Sequence, residues 1–200
     1  MKKIIATMFI LGALMTGTVI YANGTSNQPG GIPGKTARIT FSSVSDGATL
    51  TIKDSNDRTI YEEQVKQEGA YAKNFDFSNL PDAAYYFEMD TKDSIRIYPF
   101  VVSGKQVKML DGERYSIAKP ELHVEGDKLF LTKGVSDQQP VKVDFYYEGR
   151  ELAYSEQLIV GGELNRIYDF STSKRGDYFV VIQSGDRTFR ESIRINGTYW

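Results

Sequence analysis

Few side chains in this sequence are of the types that perform catalysis or bind metals. His123 is the only histidine, and the chain has no cysteine. A zinc site built from several histidine or cysteine ligands is therefore excluded. Leu122 and Val124 on either side of His123 indicate a strand, and no Gly-x-Ser-x-Gly motif supplies a nucleophile. We therefore predict no catalytic residue, no metal site and no cofactor, and a protein that is not an enzyme.

The run Asp54-Ser55-Asn56-Asp57 is rich in the oxygen ligands that calcium prefers. A calcium loop counted from Asp54 requires glycine at its sixth position and a bidentate acid at its twelfth. This sequence has Thr59 and Val65 there. The run therefore predicts a hairpin turn, in which Asn and Asp accommodate left-handed backbone.

Two short motifs could mediate contacts at the surface. Arg175-Gly176-Asp177 is an adhesion tripeptide, but Gly176 also occupies the turn of a repeated frame, which favours a structural role. Asp93-Ser94-Ile95 matches an acceptor pattern for bacterial O-glycosylation, with Ser94 as the modified residue. A plain hairpin turn explains Asp93 and Ser94 equally well, and both interpretations stay open.

These residues belong to a sequence that nearly repeats itself with a period of 93 residues. Residues 50–90 align without a gap with residues 143–183. A repeat this long is a whole small domain used twice, because solenoid units are shorter. The identical pairs are Tyr61 and Tyr154, Glu63 and Glu156, Gln64 and Gln157, Gly69 and Gly162, Asp76-Phe77-Ser78 and Asp169-Phe170-Ser171, and Tyr85 and Tyr178.

Apolar and polar residues alternate along almost every segment of the repeat. Val141, Val143 and Phe145 alternate with Lys142 and Asp144, for example. Such alternation indicates half-buried strands, and short turns between them indicate antiparallel hairpins packed as a sandwich. We predict an all-β protein with two tandem antiparallel immunoglobulin-like β-sandwiches, at residues 36–110 and 111–197.

The first 22 residues have the layout of a secretory signal peptide. A basic start at Met1-Lys2-Lys3 precedes an apolar run from Ile4 to Ile20, and Ala22 supplies a small-residue cleavage site. Because the run approaches the length of a membrane span, an uncleaved anchor is the alternative. We expect cleavage, since polar sequence begins abruptly at Asn23 and no basic stop-transfer cluster follows. Residues 23–35, rich in glycine and proline, predict a flexible leader.

Charge and composition limit the partners. Removing residues 1–22 leaves 22 basic and 26 acidic residues, a net charge of −4. That charge argues against nucleic acid and against anionic membranes. After cleavage we expect no stable membrane span. The predicted location is outside the cytoplasm, in the periplasm, at the cell surface or in the medium.

The 13 tyrosines and 11 phenylalanines exceed what two small cores need. Tyr86 and Phe179 occupy the same frame position in the two copies, one residue after the core positions, so the pleat should turn them outward. They could pack against the sister domain or form a binding face for a glycan or a protein. The candidate contact residues are Tyr86, Phe179, Tyr98 and Tyr146.

The repeated frame is similar to that of a known group of secreted domains. It comprises Leu50-Thr51-Ile52, the turn from Asp54 to Arg58, Phe75 to Pro81, and Tyr85 to Met89, with a second copy around Phe170-Ser171 and Gly176 to Val180. It resembles the small immunoglobulin-like sandwiches of bacteria with type IX secretion, including their sorting domains. Ala83 and the final residues, 193–200, depart from that pattern.

The resemblance implies an exported module with one of two roles. We expect a secreted or cell-surface, non-catalytic protein that binds a protein or glycan or has a structural role. The alternative is a type IX sorting or anchoring module carried by the second domain.

Overall fold

The computed structural model describes residues 5–8, 35–104, 106–135, 140–159 and 161–196. These residues are mostly strands, and the ranges just given contain no α-helix. A short 3-10 helix at Asp111–Glu113 is the exception to the strands and turns. The strands are β1 (Ile5–Met8), β2 (Thr36–Val44), β3 (Thr49–Asp54), β4 (Thr59–Gln64), β5 (Gly69–Asp76), β6 (Ala83–Asp90), β7 (Ser94–Ser103), β8 (Gln106–Met109), β9 (Tyr115–Ala118), β10 (Glu121–Glu125), β11 (Lys128–Val135), β12 (Pro140–Tyr147), β13 (Glu151–Ile159), β14 (Gly162–Asp169), β15 (Gly176–Ser184) and β16 (Arg187–Ile195).

The chain divides into two compact units. The first contains the described residues 35–116, and the second contains residues 5–8 and the described residues from Ile117 onward. The division falls between Ser116 and Ile117, whereas the sequence predicts it between residues 110 and 111, because the 3-10 helix and the start of β9 stay with the first unit. The predicted signal peptide and leader lie outside the described residues, apart from β1 and Lys35.

The first unit is an antiparallel sandwich. One sheet has the strand order β4-β3-β6-β7-β8, with β9 also paired to β7, and the other is the pair β2–β5. Alternate side chains of both sheets meet in one core, in which Phe41 of β2, Phe75 of β5 and Phe87 of β6 are all buried. The rings of Phe41 and Phe75 each contact the ring of Phe87, edge-on at 5.6 Å and tilted at 5.1 Å between centroids.

The second unit is a sandwich of two four-stranded sheets. The orders are β13-β12-β15-β16 and β1-β14-β11-β10, so β1 pairs with the outer edge of β14. Phe145 of β12 and Tyr168 of β14 meet in the core with ring centroids 4.7 Å apart. The fold predicted from the alternating sequence, an all-β antiparallel sandwich, is therefore confirmed in both units.

In each unit a tyrosine hydroxyl donates a hydrogen bond to a turn, and the two tyrosines are 93 residues apart. The hydroxyl of Tyr85 donates to the carbonyl of Pro81 at 3.0 Å, and that of Tyr178 donates to the carbonyl of Lys174 at 2.9 Å. Both rings are buried, and a buried hydroxyl without an acceptor would cost free energy. The bond fixes the chain just before β6 or β15 enters the core, as tyrosine corners do in other sandwiches.

Replacing either tyrosine by phenylalanine should leave the ring in place and remove one hydrogen bond. We expect Tyr85→Phe and Tyr178→Phe each to lower the free energy of unfolding by about 1 kcal/mol. Urea denaturation followed by circular dichroism measures this. Tyr146→Phe, on the outer face of β12, is the matched control, and an equal loss in the control would contradict the role of the corner bonds.

Candidate contact surface

A cluster of one glutamate, two tyrosines and a lysine joins the two sheets of the first unit. Glu63 lies on β4, and Lys73 and Tyr71 lie on β5, across the corner where the chain passes from one sheet to the other. Lys73 forms an ion pair with Glu63, and Tyr71 donates a hydrogen bond to the same carboxylate. Tyr61 donates to Glu63 at 2.5 Å. One carboxylate thus collects three donors from two sheets.

The second unit has a corresponding cluster around Glu156 of β13. Arg166 of β14 reaches it with Nη2 at 2.6 Å and Nε at 3.2 Å, which is a bidentate pair. The hydroxyl of Tyr168 donates to Glu156 at 2.6 Å, and that of Tyr154 donates at 3.3 Å. The carboxylate and the guanidinium are only 11% and 14% exposed, so this cluster is shielded from water.

Burial and hydrogen bonding act against each other on Glu63. Burial raises its pKa, but the hydrogen bonds from Lys73, Tyr61 and Tyr71 outweigh burial and hold the pKa below its ordinary value. Burial, followed by the bond to Glu63, raises the pKa of Tyr71 to about 12. For Tyr168, burial and its bond to Glu156 raise the pKa well above the ordinary range. All three shifts favour the protonation states that exist at neutral pH.

The sequence lists Glu63 and Glu156 among the repeated residues, yet it assigns them no role. Their surroundings explain why, since a glutamate in an alternating strand is typical of a solvated face. The signal in the sequence is that the motif Tyr-x-Glu recurs after 93 residues together with a basic residue, which is Lys73 in the first copy and Arg166 in the second.

The outer face of the second unit carries a row of apolar side chains on adjacent strands. Tyr146 of β12 lies opposite Phe179 of β15 in the register and opposite Leu152 of β13 on its other side. Tyr146 and Phe179 are half-buried, and Leu152 is 53% exposed. The row ends at Ser192 of β16. The sequence predicts both aromatic residues of this row as contact residues, but not Leu152.

Tyr86 has different surroundings, although it occupies the same frame position as Phe179. It lies between Lys53 and Pro99 in the register, is half-buried, and donates a hydrogen bond from its hydroxyl to Asp57. Asp57 has positive φ, at 61°, in the turn that follows β3. Tyr86 therefore stabilises this turn through its hydroxyl, and part of its ring is also exposed to solvent.

Tyr98 does not lie on the predicted surface. It is 6% exposed, its ring packs edge-on against Phe41 at 5.1 Å, and the guanidinium of Arg114 lies 5.4 Å from its centre. The assignment of Tyr98 to a contact surface is wrong, because β7 directs Tyr98, Phe100 and Val102 together into the core.

The other motifs of the sequence lie in turns or strands, where their contacts are structural. The carboxylate of Asp54 accepts from the backbone N–H of Asn56 at 2.9 Å and of Arg58 at 3.1 Å, as expected of a turn. Arg175 forms an ion pair with Asp127. Gly176 has φ of +135°, and a Cβ there would lie 3.2 Å from the ring of Tyr147. His123 is exposed on β10 with Phe130 6.2 Å away.

Ser94 begins β7 beside a polar groove. Thr91 and Ser94 form a side-chain turn in which the hydroxyl of Thr91 donates to the carbonyl of Ser94 at 2.8 Å. Ser94 is half-buried, and its glycosylation stays a prediction. The groove nearby has a volume of about 280 Å³ and contains no aromatic ring on which a sugar could stack. Its lining residues are Ser43, Val44, Ser45, Glu68, Gly69, Thr91, Asp93 and Arg96.

Within the ranges that the structure describes, no group of three or more histidine or acidic residues is arranged to hold a metal ion. The same residues include no helix long and apolar enough to cross a membrane.

Comparison with known proteins shows similarity to solved structures. No protein-family model matches the chain, and no curated protein matches it. Among solved structures it is similar to a protein described as "Biofilm associated protein - BSP domain", with 9% identity and a TM-score of 0.30. The match covers 81% of this chain and 27% of that one, so the chain spans about a quarter of that protein's length. The resemblance to type IX domains therefore stays a prediction.

The cluster at Glu63 predicts how stability depends on pH. A carboxylate whose pKa is lowered by folding contributes stability above its unfolded value, and this contribution is lost as the pH falls through the lowered pKa. Glu63→Gln should lower the free energy of unfolding at neutral pH by about 1–2 kcal/mol, because a charged acceptor is lost. The difference from the wild type should shrink as the pH falls below the ordinary pKa of a glutamate, because Glu63 itself then becomes protonated.

Urea denaturation at a series of pH values measures this difference. Glu62→Gln, an exposed neighbour on the same strand, is the control and should change little at any pH. At the alkaline end, stability from the neutral hydroxyl of Tyr71 should be lost as the pH rises from 10 to about 12. If the difference in free energy of unfolding between the wild type and Glu63→Gln did not change with pH, the stabilising role of the Glu63 carboxylate would be contradicted.

Proposed function

We propose that this chain is an exported, non-catalytic protein that contacts a partner, either a protein or a glycan, through the outer face of its second sandwich. The observation that carries the proposal is the pair Tyr146 and Phe179, opposite each other on β12 and β15 and beside the exposed Leu152. Aromatic rings combine a large apolar area with little conformational entropy, which suits a contact surface.

The polar groups near this surface support a contact role over a catalytic one. Ion pairs and turn hydrogen bonds occupy the charged residues at this end of the unit, such as Lys174 with Glu151 at 2.8 Å and Arg175 with Asp127. A general acid or base needs a proton to exchange with a substrate in a sheltered site. On this face the row of Tyr146, Phe179 and Leu152 offers apolar contact, and the polar group formed by Asp144, Lys142 and Ser155 lies beside it.

Tyr86 offers the corresponding ring in the first unit. Its hydroxyl is held by Asp57, so its position is fixed and little entropy would be lost on contact. We assign it a secondary contact, since Lys53 replaces an aromatic residue at the position corresponding to Tyr146.

Substituting the two rings tests the proposal. With the mature chain, Tyr146→Ser and Phe179→Ser should each weaken binding on a glycan array or to a captured protein by about tenfold or more. The free energy of unfolding should fall by less than about 1 kcal/mol, because both rings are only half-buried. Gln183→Ser, exposed on the same strand, is the matched control. Loss of stability with binding unchanged would assign the rings to packing and refute the proposal.

The sorting role remains the second candidate, and it rests on the sequence resemblance alone. Fusing residues 111–200 to a reporter in a type IX host separates the two roles. Export of the fusion would favour sorting, whereas retention in the cell would eliminate it.

A further inference from the structure

The two edges of the outer sheet in the second unit differ in how they are protected. β16, at one edge, carries Arg187, Arg190 and Arg194. β13, at the other edge, is nine residues long and contains no lysine, arginine or proline. Proteins usually block exposed edges with such residues, because unpaired N–H and C=O groups accept a strand from another chain. β13 is therefore an edge on which a further strand can pair.

Two apolar side chains on β13 are exposed to solvent. Leu152 is 53% exposed and Ile159 is 76% exposed. A bulge between Phe145 and Tyr146 of β12 places Leu152 opposite Tyr146, while Ile159 lies opposite Pro140. Because these β12 positions differ by an even number of residues, Leu152 and Ile159 project from the same face of the sheet.

These two side chains lie symmetrically about Glu156. Glu156 pairs with Val143, which is three positions from Tyr146 and three from Pro140 along β12. Along β13 itself Leu152 is four residues from Glu156, but Ala153 is the extra residue of the bulge and has no partner in the ladder. A second β13 that runs antiparallel, is centred on Glu156 and keeps this bulge would therefore place its Ile159 opposite Leu152, and its Leu152 opposite Ile159. The edge is complementary to itself, which is the requirement for a two-fold interface between identical chains.

The charge at the centre does not oppose this pairing. Two glutamates directly opposite each other normally repel. Here the carboxylate of Glu156 is held by the bidentate Arg166 and by Tyr168 on the inner side of the sheet. The pair Glu156–Arg166 is nearly neutral as a unit, so two such pairs can approach each other.

We propose that β13 pairs with β13 of a second copy of this chain, antiparallel and centred on Glu156, and so joins two outer sheets into one eight-stranded sheet. The contact buries Leu152 of each copy against Ile159 of the other. This inference goes beyond the proposed function and does not rest on it, since the edge contact does not cover Tyr146 and Phe179 on the outer face.

Mixed disulfide trapping tests the register directly, because the chain contains no cysteine of its own. Leu152→Cys and Ile159→Cys chains, mixed and oxidised, should give a disulfide between one chain of each kind. Either variant alone should crosslink poorly, because like residues lie at opposite ends of the pair, about 20 Å apart. Ser192→Cys mixed with Ile159→Cys is the control, because Ser192 lies on β16 at the other edge of the sheet. If Leu152→Cys and Ile159→Cys crosslink no more than this control, the proposal is overturned.

Sedimentation of the unmodified and substituted chains tests the energetics. The wild type should dimerise reversibly, and the double variant Leu152→Lys/Ile159→Lys should have a dissociation constant about tenfold higher or more, because charged side chains block edges. Both sites are exposed, so circular dichroism should show an unchanged fold. Ile60→Lys on β4, which also replaces an exposed apolar edge residue, is the matched control and should dimerise as the wild type does.

Two results would overturn the proposal while leaving the proposed function intact. One is a wild-type chain that stays monomeric up to about 1 mM, because a dimer with a dissociation constant above that value is too weak for a specific interface. The other is a dimer that Leu152→Lys/Ile159→Lys does not weaken. Conversely, loss of partner binding in Phe179→Ser with normal dimerisation would separate the outer face from the edge.

Discussion

The structure of each unit depends on holding two sheets face to face without a covalent link. The chain has no cysteine, so the sheets are joined by their aromatic core and by one glutamate that accepts hydrogen bonds from both sides. Glu63 and Glu156 occupy the same place in the two units, at the corner where the chain leaves one sheet and enters the other. A carboxylate there can bind two tyrosines and a cation at once, which no neutral side chain can do.

The pairing of Glu156 with Arg166 also determines which charges β13 exposes. Because Glu156 is directed inward and paired with Arg166, β13 carries no outward charge at its centre, and its edge differs from the arginine-rich edge of β16. The outer face follows from the pleat, since every residue that points away from the core stands beside outward residues of the next strands. Tyr146, Phe179 and Leu152 are neighbours for that reason, although they are far apart in sequence.

Much of the fold could be predicted from the sequence, and part of the surface could not. Alternation along β12 and the turn residues define the strands and the antiparallel sandwich, because these patterns are local. From strand phase the sequence predicts outward positions for both Phe179 and Tyr98, and Tyr98 is instead buried. Tyr98 follows a run in which Ile95 and Ile97 are also buried, so strand phase alone does not distinguish the two faces of β7. Register between strands, which brings Leu152 beside Tyr146 through a bulge, depends on contacts that no local pattern encodes.

A double-mutant cycle on Glu156 and Arg166 tests most directly whether one carboxylate holds the two sheets together. The two residues belong to different sheets, so a coupling between them measures an interaction across the sandwich. With Glu156→Gln and Arg166→Gln made singly and together, we predict a coupling energy of about 1–2 kcal/mol in the free energy of unfolding. Effects that add to within about 0.3 kcal/mol would contradict the account, because they would show that the sheets are joined by the aromatic core alone.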